Sequence, residues 1–114
     1  MKNDPVVTNP GLYSVVFENQ RVRVLEYRDR PGDRTQPHDH PDSVMVTLSS
    51  FRRRLGSEDS SRDVELNSGL AAWLPAQGHF GENIGDSETH VIFVELKESA
   101  PGPSEAAGIG PVVD

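Results

Sequence analysis

Residues 32–48 run Gly32-Asp33-Arg34-Thr35-Gln36-Pro37-His38-Asp39-His40-Pro41-Asp42-Ser43-Val44-Met45-Val46-Thr47-Leu48. Two prolines bracket a His-x-His pair, and an apolar, β-branched run follows. Successive side chains of an extended segment point to opposite faces, so His38 and His40 share one face and can aim two imidazoles at one point. If Val44, Val46 and Leu48 keep that parity, the pair sits at the entrance of an apolar interior.

The flanking sequence has the same grammar. Nine prolines and ten glycines cut the 114 residues into short pieces, and no long stretch shows the 3.6-residue periodicity of a helix. β-Rich runs bounded by turn residues recur instead, at Leu12–Phe17, Arg21–Arg28, Val44–Leu48, Phe51–Leu55, Asp63–Leu66, Leu70–Leu74 and His90–Lys97. This is the pattern of an all-β sandwich or barrel. Glu18-Asn19-Gln20, Gly56–Ser61, Asn67-Ser68-Gly69 and Gly85-Asp86-Ser87 read as turns, with Gly69 suited to positive φ. The last run is apolar on both parities, which predicts a strand in the middle of a sheet or at a subunit contact. Residues 1–11 read as an N-terminal arm and 12–98 as one folded domain. Residues 99–114, rich in Pro, Gly, Ala and Ser, read as a flexible tail.

The chain has no cysteine. Disulfides, thiolate ligands and a Cys nucleophile are excluded, and any metal is held by nitrogen and oxygen. No apolar run approaches the roughly 18 residues of a membrane span, and Met1-Lys2-Asn3-Asp4-Pro5 lacks the apolar core of a signal peptide. The expected location is the cytoplasm, with no membrane partner. A formal net charge of −7 argues against nucleic-acid partners. Arg52-Arg53-Arg54 would point alternately up and down in a strand and reads as solvated surface. Trp73, the single tryptophan, reads as core. His90, at the start of the last run, reads as a strand-edge or interface residue.

Two half-motifs carry a resemblance to the cupins, small jelly rolls with two short motifs on neighbouring strands. Gly32, five residues and then His38-Asp39-His40 match the opening of the first motif. That motif's Glu would fall at Val44 or Met45 and is missing, as is its closing Gly, with Ser49 and Ser50 in the region. Gly69, five residues, Pro75 and then His79 and Asn83 match the second, one residue shorter than the family pattern before the His. The resemblance covers residues 12–97. It is closest to the short single-domain cupins associated with β-alanine degradation, through Glu18–Glu26, Asn83-Ile84-Gly85-Asp86 and Val94-Glu95-Leu96-Lys97. It implies a single-domain cupin jelly-roll barrel (a double-stranded β-helix, RmlC-like), with His38, His40 and His79 as metal ligands and Asn83 ordering the loop after His79.

Neutral imidazole is a common ligand for divalent transition metals, so Fe2+, Zn2+, Ni2+, Mn2+ and Cu2+ are all candidate cofactors. Three imidazoles add no negative charge, which favours an anionic or chelating substrate and a Lewis-acid role. Asp42 could supply an auxiliary oxygen, though it reads first as an exposed turn residue, and Gln36 has the parity for a fourth contact. Without a metal, His38 and His40 would cap a loop between prolines and His79 would sit at a barrel rim. Three functions are open. The first is a metal-dependent enzyme, dioxygenase-like or another oxidoreductase or lyase, acting on a small molecule. The second is a non-catalytic small-ligand-binding module. The third is a metal-free isomerase or epimerase using a histidine and a tyrosine, Tyr13 or Tyr27. A homodimer, joined through the last strand or the terminal arms, is the expected assembly.

Overall fold

The computed structural model describes residues 3–98. Within them the order is α1 (Pro5–Thr8), β1 (Tyr13–Glu18), β2 (Val22–Asp29), β3 (His38–His40), β4 (Ser43–Thr47), β5 (Phe51–Gly56), β6 (Ser61–Leu66), β7 (Ala71–Leu74), β8 (Gln77–Asn83) and β9 (Thr89–Leu96). Five strands form one sheet in the order β1-β2-β9-β4-β7, and four form a second in the order β3-β8-β5-β6. Every strand pair is antiparallel. The protein is an all-β jelly roll, as the recurrent short runs predict.

All seven predicted runs are strands, with ends within two residues of those expected. Two strands lie outside those runs: β3, which is the extended His-x-His segment itself, and β8, which was not foreseen. Gln77–Asn83 is not the loop expected after His79 but β8, which bridges β3 and β5. Gly78 and Gly81, and the absence of any β-branched residue, hide it from a propensity reading.

The core lies between the sheets. Tyr13, Leu25, Tyr27, Val91 and Phe93 come from one and Phe51 from the other. Burying side chains of this size contributes roughly 1.5–3 kcal/mol each. β9 sits in the middle of the larger sheet, with Thr89, Val91, Phe93 and Glu95 buried and the alternate residues half-buried. Both of its parities are therefore covered, as its double apolarity predicts. Gly69 takes φ 85° in the turn before β7.

Three expectations are corrected. The inward residues of β4 are Ser43, Met45 and Thr47, while Val44 and Val46 lie on the opposite face and Leu48 is 48% exposed. The parity is reversed because the outer face of this sheet is itself apolar. Cross-strand register aligns Phe17, Val24, Val94, Val44 and Trp73 in one row across all five strands. Trp73 is consequently not core; it stands 52% exposed on the edge strand β7. The arginine run is not all surface either. Arg52 and Arg54 point out, but Arg53 is 7% exposed and enters the barrel.

The N-terminal arm is fastened to the barrel. Asp4 caps α1 by accepting from the Val6 amide (3.0 Å) and takes two hydrogen bonds from the Arg23 guanidinium (2.8 and 3.0 Å). The Asn9 side chain accepts from the Gln36 amide (2.7 Å) and donates to its carbonyl (3.2 Å). The arm thereby fixes the residues that lead into β3. The predicted tail, 99–114, lies outside the described residues.

Candidate metal centre

β3 and β8 exist to place three imidazoles. His38 and His40 are on the same face of β3 and are 2% and 1% exposed. The β3–β8 register sets His79 directly opposite His38. The three ring centroids lie 4.8, 4.9 and 5.0 Å apart. One nitrogen from each ring falls within 4.8 Å of the others. The rings stand close to mutually perpendicular at two of the three contacts, 87° for His38–His40 and 90° for His38–His79. They surround a common point rather than stacking.

Hydrogen bonds say which nitrogens face that point. His38 Nδ1 is 2.7 Å from the Gln36 carbonyl, and His79 Nδ1 is 2.8 Å from the Gln77 side-chain oxygen. An oxygen with no proton of its own can only accept, so both Nδ1 atoms carry hydrogen and both Nε2 atoms keep a lone pair, that of His38 within reach of the Tyr13 O–H. The Tyr13 hydroxyl lies 3.3 Å from His38 Nε2. Neither ring nitrogen of His40 has a hydrogen-bond partner, although the side chain is fully buried. Buried polar atoms are seldom left unpaired, and a divalent ion at the common point would satisfy one of the two nitrogens and suit an all-nitrogen donor set.

Electrostatics favour the same state. Burial pushes the His38 imidazole down to about 4 and the His79 imidazole down to about 3. Both rings are neutral at physiological pH. In the unfolded chain they would titrate near their ordinary value of about 6.5. Stability of the metal-free protein is therefore full above pH 6.5 and falls as the pH drops from there toward 4. The loss is expected to reach about 1.4 kcal/mol per pH unit for each group. Urea melts at pH 7 and pH 5 check this, and equal midpoints would show that the rings are not held neutral.

The sequence reading of the auxiliary residues does not hold. The Gln36 side chain is exposed, and the residue contributes only its carbonyl and amide. Asp42 accepts from the Ala76 amide (2.9 Å), bracing the β7–β8 turn, and lies outside the imidazole cluster. His90 lies away from the cluster on the opposite face of β9, with its Nε2 2.6 Å from Glu26. Asn83 ends β8 fully buried and ties Asp29 to the following turn through Ser87 (2.9 and 2.8 Å).

Other residues of the site were not singled out. A cavity of about 170 Å3 opens beside the histidines, walled by Met45, Phe51, Leu55, Leu74, Val91 and Phe93. Arg53 and Tyr27 also line it, and both donate to the carboxylate of Asp29. Gly81 makes room for that guanidinium, since a Cβ there would lie 2.7 Å from an Arg53 nitrogen. Strict alternation along β5 was the available signal for Arg53: if Arg52 and Arg54 face out, Arg53 must face in.

No family model matches the chain, and neither does any curated protein. Solved structures do. A cupin domain from Bordetella pertussis Tohama I shares 29% identity over 76% of this chain and 93% of that one, with a TM-score of 0.72. An RmlC-like cupin with a double-stranded β-helix from Methanocaldococcus jannaschii shares 14% over 82% and 83%, TM-score 0.61. The polyketide cyclase RemF from Streptomyces resistomycificus shares 20% over 78% and 66%, TM-score 0.58. The fold of the chain is that of the small cupins, an RmlC-like double-stranded β-helix.

Proposed function

We propose that this cupin binds a divalent transition metal through Nε2 of His38, His40 and His79 and acts on a small molecule held in the adjoining cavity. The observation that carries the reading is the convergence of three imidazoles, one of them fully buried with neither ring nitrogen partnered. When bound, the ion would supply a Lewis acid with positions open to substrate oxygen atoms. Fe2+ would suit a dioxygenase-like reaction, and Zn2+, Ni2+, Mn2+ or Cu2+ other oxidoreductase or lyase chemistry.

The chain's own residues restrict what enters. Apolar cavities of about 150 Å3 admit a molecule the size of benzene, so a cavity of about 170 Å3 takes a compact substrate. Its walls are largely hydrocarbon, and Arg53 is already neutralised by Asp29. Positive charge for an anionic or chelating end must then come from the histidine site. Tyr13, its hydroxyl pushed well above the ordinary phenol range by burial, stays protonated and can donate a hydrogen bond beside His38. These features suit metal-assisted chemistry on a small chelating molecule. A role like that of the cupins associated with β-alanine degradation is one form of it.

The apolar row from Phe17 to Trp73 supports a homodimer with β9 at the contact. Among the described residues no helix is long and apolar enough to cross a membrane. Protein purified without a histidine tag should retain or take up about one transition metal per chain. Less than about a tenth of an equivalent after adding metal back overturns the reading. A retained organic ligand in native mass spectrometry without turnover would favour a binding module over an enzyme.

A further inference from the structure

Glu95 is 3% exposed on the inward face of β9. Its Oε1 accepts from Arg23 Nε at 2.8 Å. Its Oε2 has no partner and lies 3.8 Å from Nδ1 of His40, which also has none. The two orphans thus face each other across a gap only slightly wider than a hydrogen bond. Each costs on the order of 1–3 kcal/mol left unpaired in the interior, and a small approach would relieve both.

The other two histidines show what this contact is for. Each already has an oxygen acceptor on Nδ1, a backbone carbonyl for His38 and an amide oxygen for His79. His40 alone lacks one, and the nearest acceptor is the only charged one of the three. A carboxylate on the remote nitrogen fixes a ligating imidazole in the Nε2 tautomer and raises its basicity. Nor is the carboxylate free to turn away. Arg23 holds Oε1 and is itself held by two hydrogen bonds to Asp4, the cap of α1. The cross-strand register places Glu95 opposite Ser43, next to the position where the first motif lacks its Glu. The carboxylate has no place in the cluster of three imidazoles, so it stands behind His40 rather than among the ligands.

We propose that Glu95 is the positioning residue of this site, holding His40 as an Nδ1–H, Nε2-ligating imidazole, and that Arg23 and Asp4 anchor it to the N-terminal arm. The proposal rests on reading the three histidines as ligands, and its test separates the two. Nitrogen-15 NMR of the metal-free wild type at pH 7.5 should show His40 protonated on Nδ1. In Glu95→Gln the amide can turn its NH2 toward His40 and favour the other tautomer. Its Co2+ affinity, measured by chelator competition, should fall about 10–100-fold, and the tautomer signal should shift. Wild-type His40 protonated on Nε2 overturns the proposal, and so does an E95Q variant with unchanged tautomer and Co2+ affinity. Should E95Q fail to fold, the wild-type spectrum still decides. A wild type that shows the Nδ1–H tautomer but binds no Co2+ would sink the metal reading and leave the His40–Glu95 contact standing.

Discussion

Asp29→Ala is expected to destabilise the protein by about 3–5 kcal/mol, since removing one partner strands a buried opposite charge. The Asp29 carboxylate is fully buried and accepts from Tyr27, Arg53, the Asn83 amide (2.9 Å) and the Thr89 backbone (3.2 Å). It ties together β2, β5, β8 and β9, two strands from each sheet. Total stability of a domain this size is about 5–15 kcal/mol, so about a fifth or more of it depends on this one group. Urea denaturation measures the loss, and a change below about 1 kcal/mol would mean that the Arg53 charge finds water instead. Removing the paired charges together, as in Asp29→Leu with Arg53→Met, should recover part of the loss, since the Tyr27 hydroxyl and the Thr89 amide still lose their acceptor.

His40→Leu should cost metal affinity far more than it costs stability. Neither ring nitrogen of His40 is hydrogen-bonded within the protein, and the ring stacks on Phe93 at 5.1 Å. Removing unsatisfied polar atoms while keeping apolar volume is close to neutral or stabilising. Metal-free H40L should therefore melt close to the wild-type temperature, since two unpaired ring nitrogens are removed while Glu95 Oε2 loses the Nδ1 it faces. If about 10–16 kcal/mol of binding is shared among four ligands, one ligand is worth about 3 kcal/mol, so affinity should drop on the order of 100-fold. Thermal melts with and without Zn2+ read both effects. A metal-free H40L that melts far below wild type would identify His40 as a structural core residue instead.

The fold was legible because a two-residue period broken by Gly, Pro and Asn survives in almost every strand, from Leu12 to Lys97. His38 and His40 were legible for the same reason. His79 needed the second half-motif, because Gln77-Gly78-His79-Phe80-Gly81 has no strand signature of its own. The inside of β4 was misread because the sheet's outer face is also apolar, so Val44 and Val46 mimic core residues. Trp73 misled in the same way, being large and apolar on an edge. Arg53 was hidden in a run whose neighbours are solvated, and its partner Asp29 is distant along the chain. Glu95 was not singled out as a residue of the site. Only the register of β9 against β4 shows it facing His40.

X-ray absorption at the K-edge of the metal-loaded protein tests the central claim most directly. Three imidazole nitrogens at about 2.0–2.2 Å, with the outer-shell scattering of three rings, are expected. A first shell of water or carboxylate oxygen with fewer than three imidazoles would contradict a site built from His38, His40 and His79.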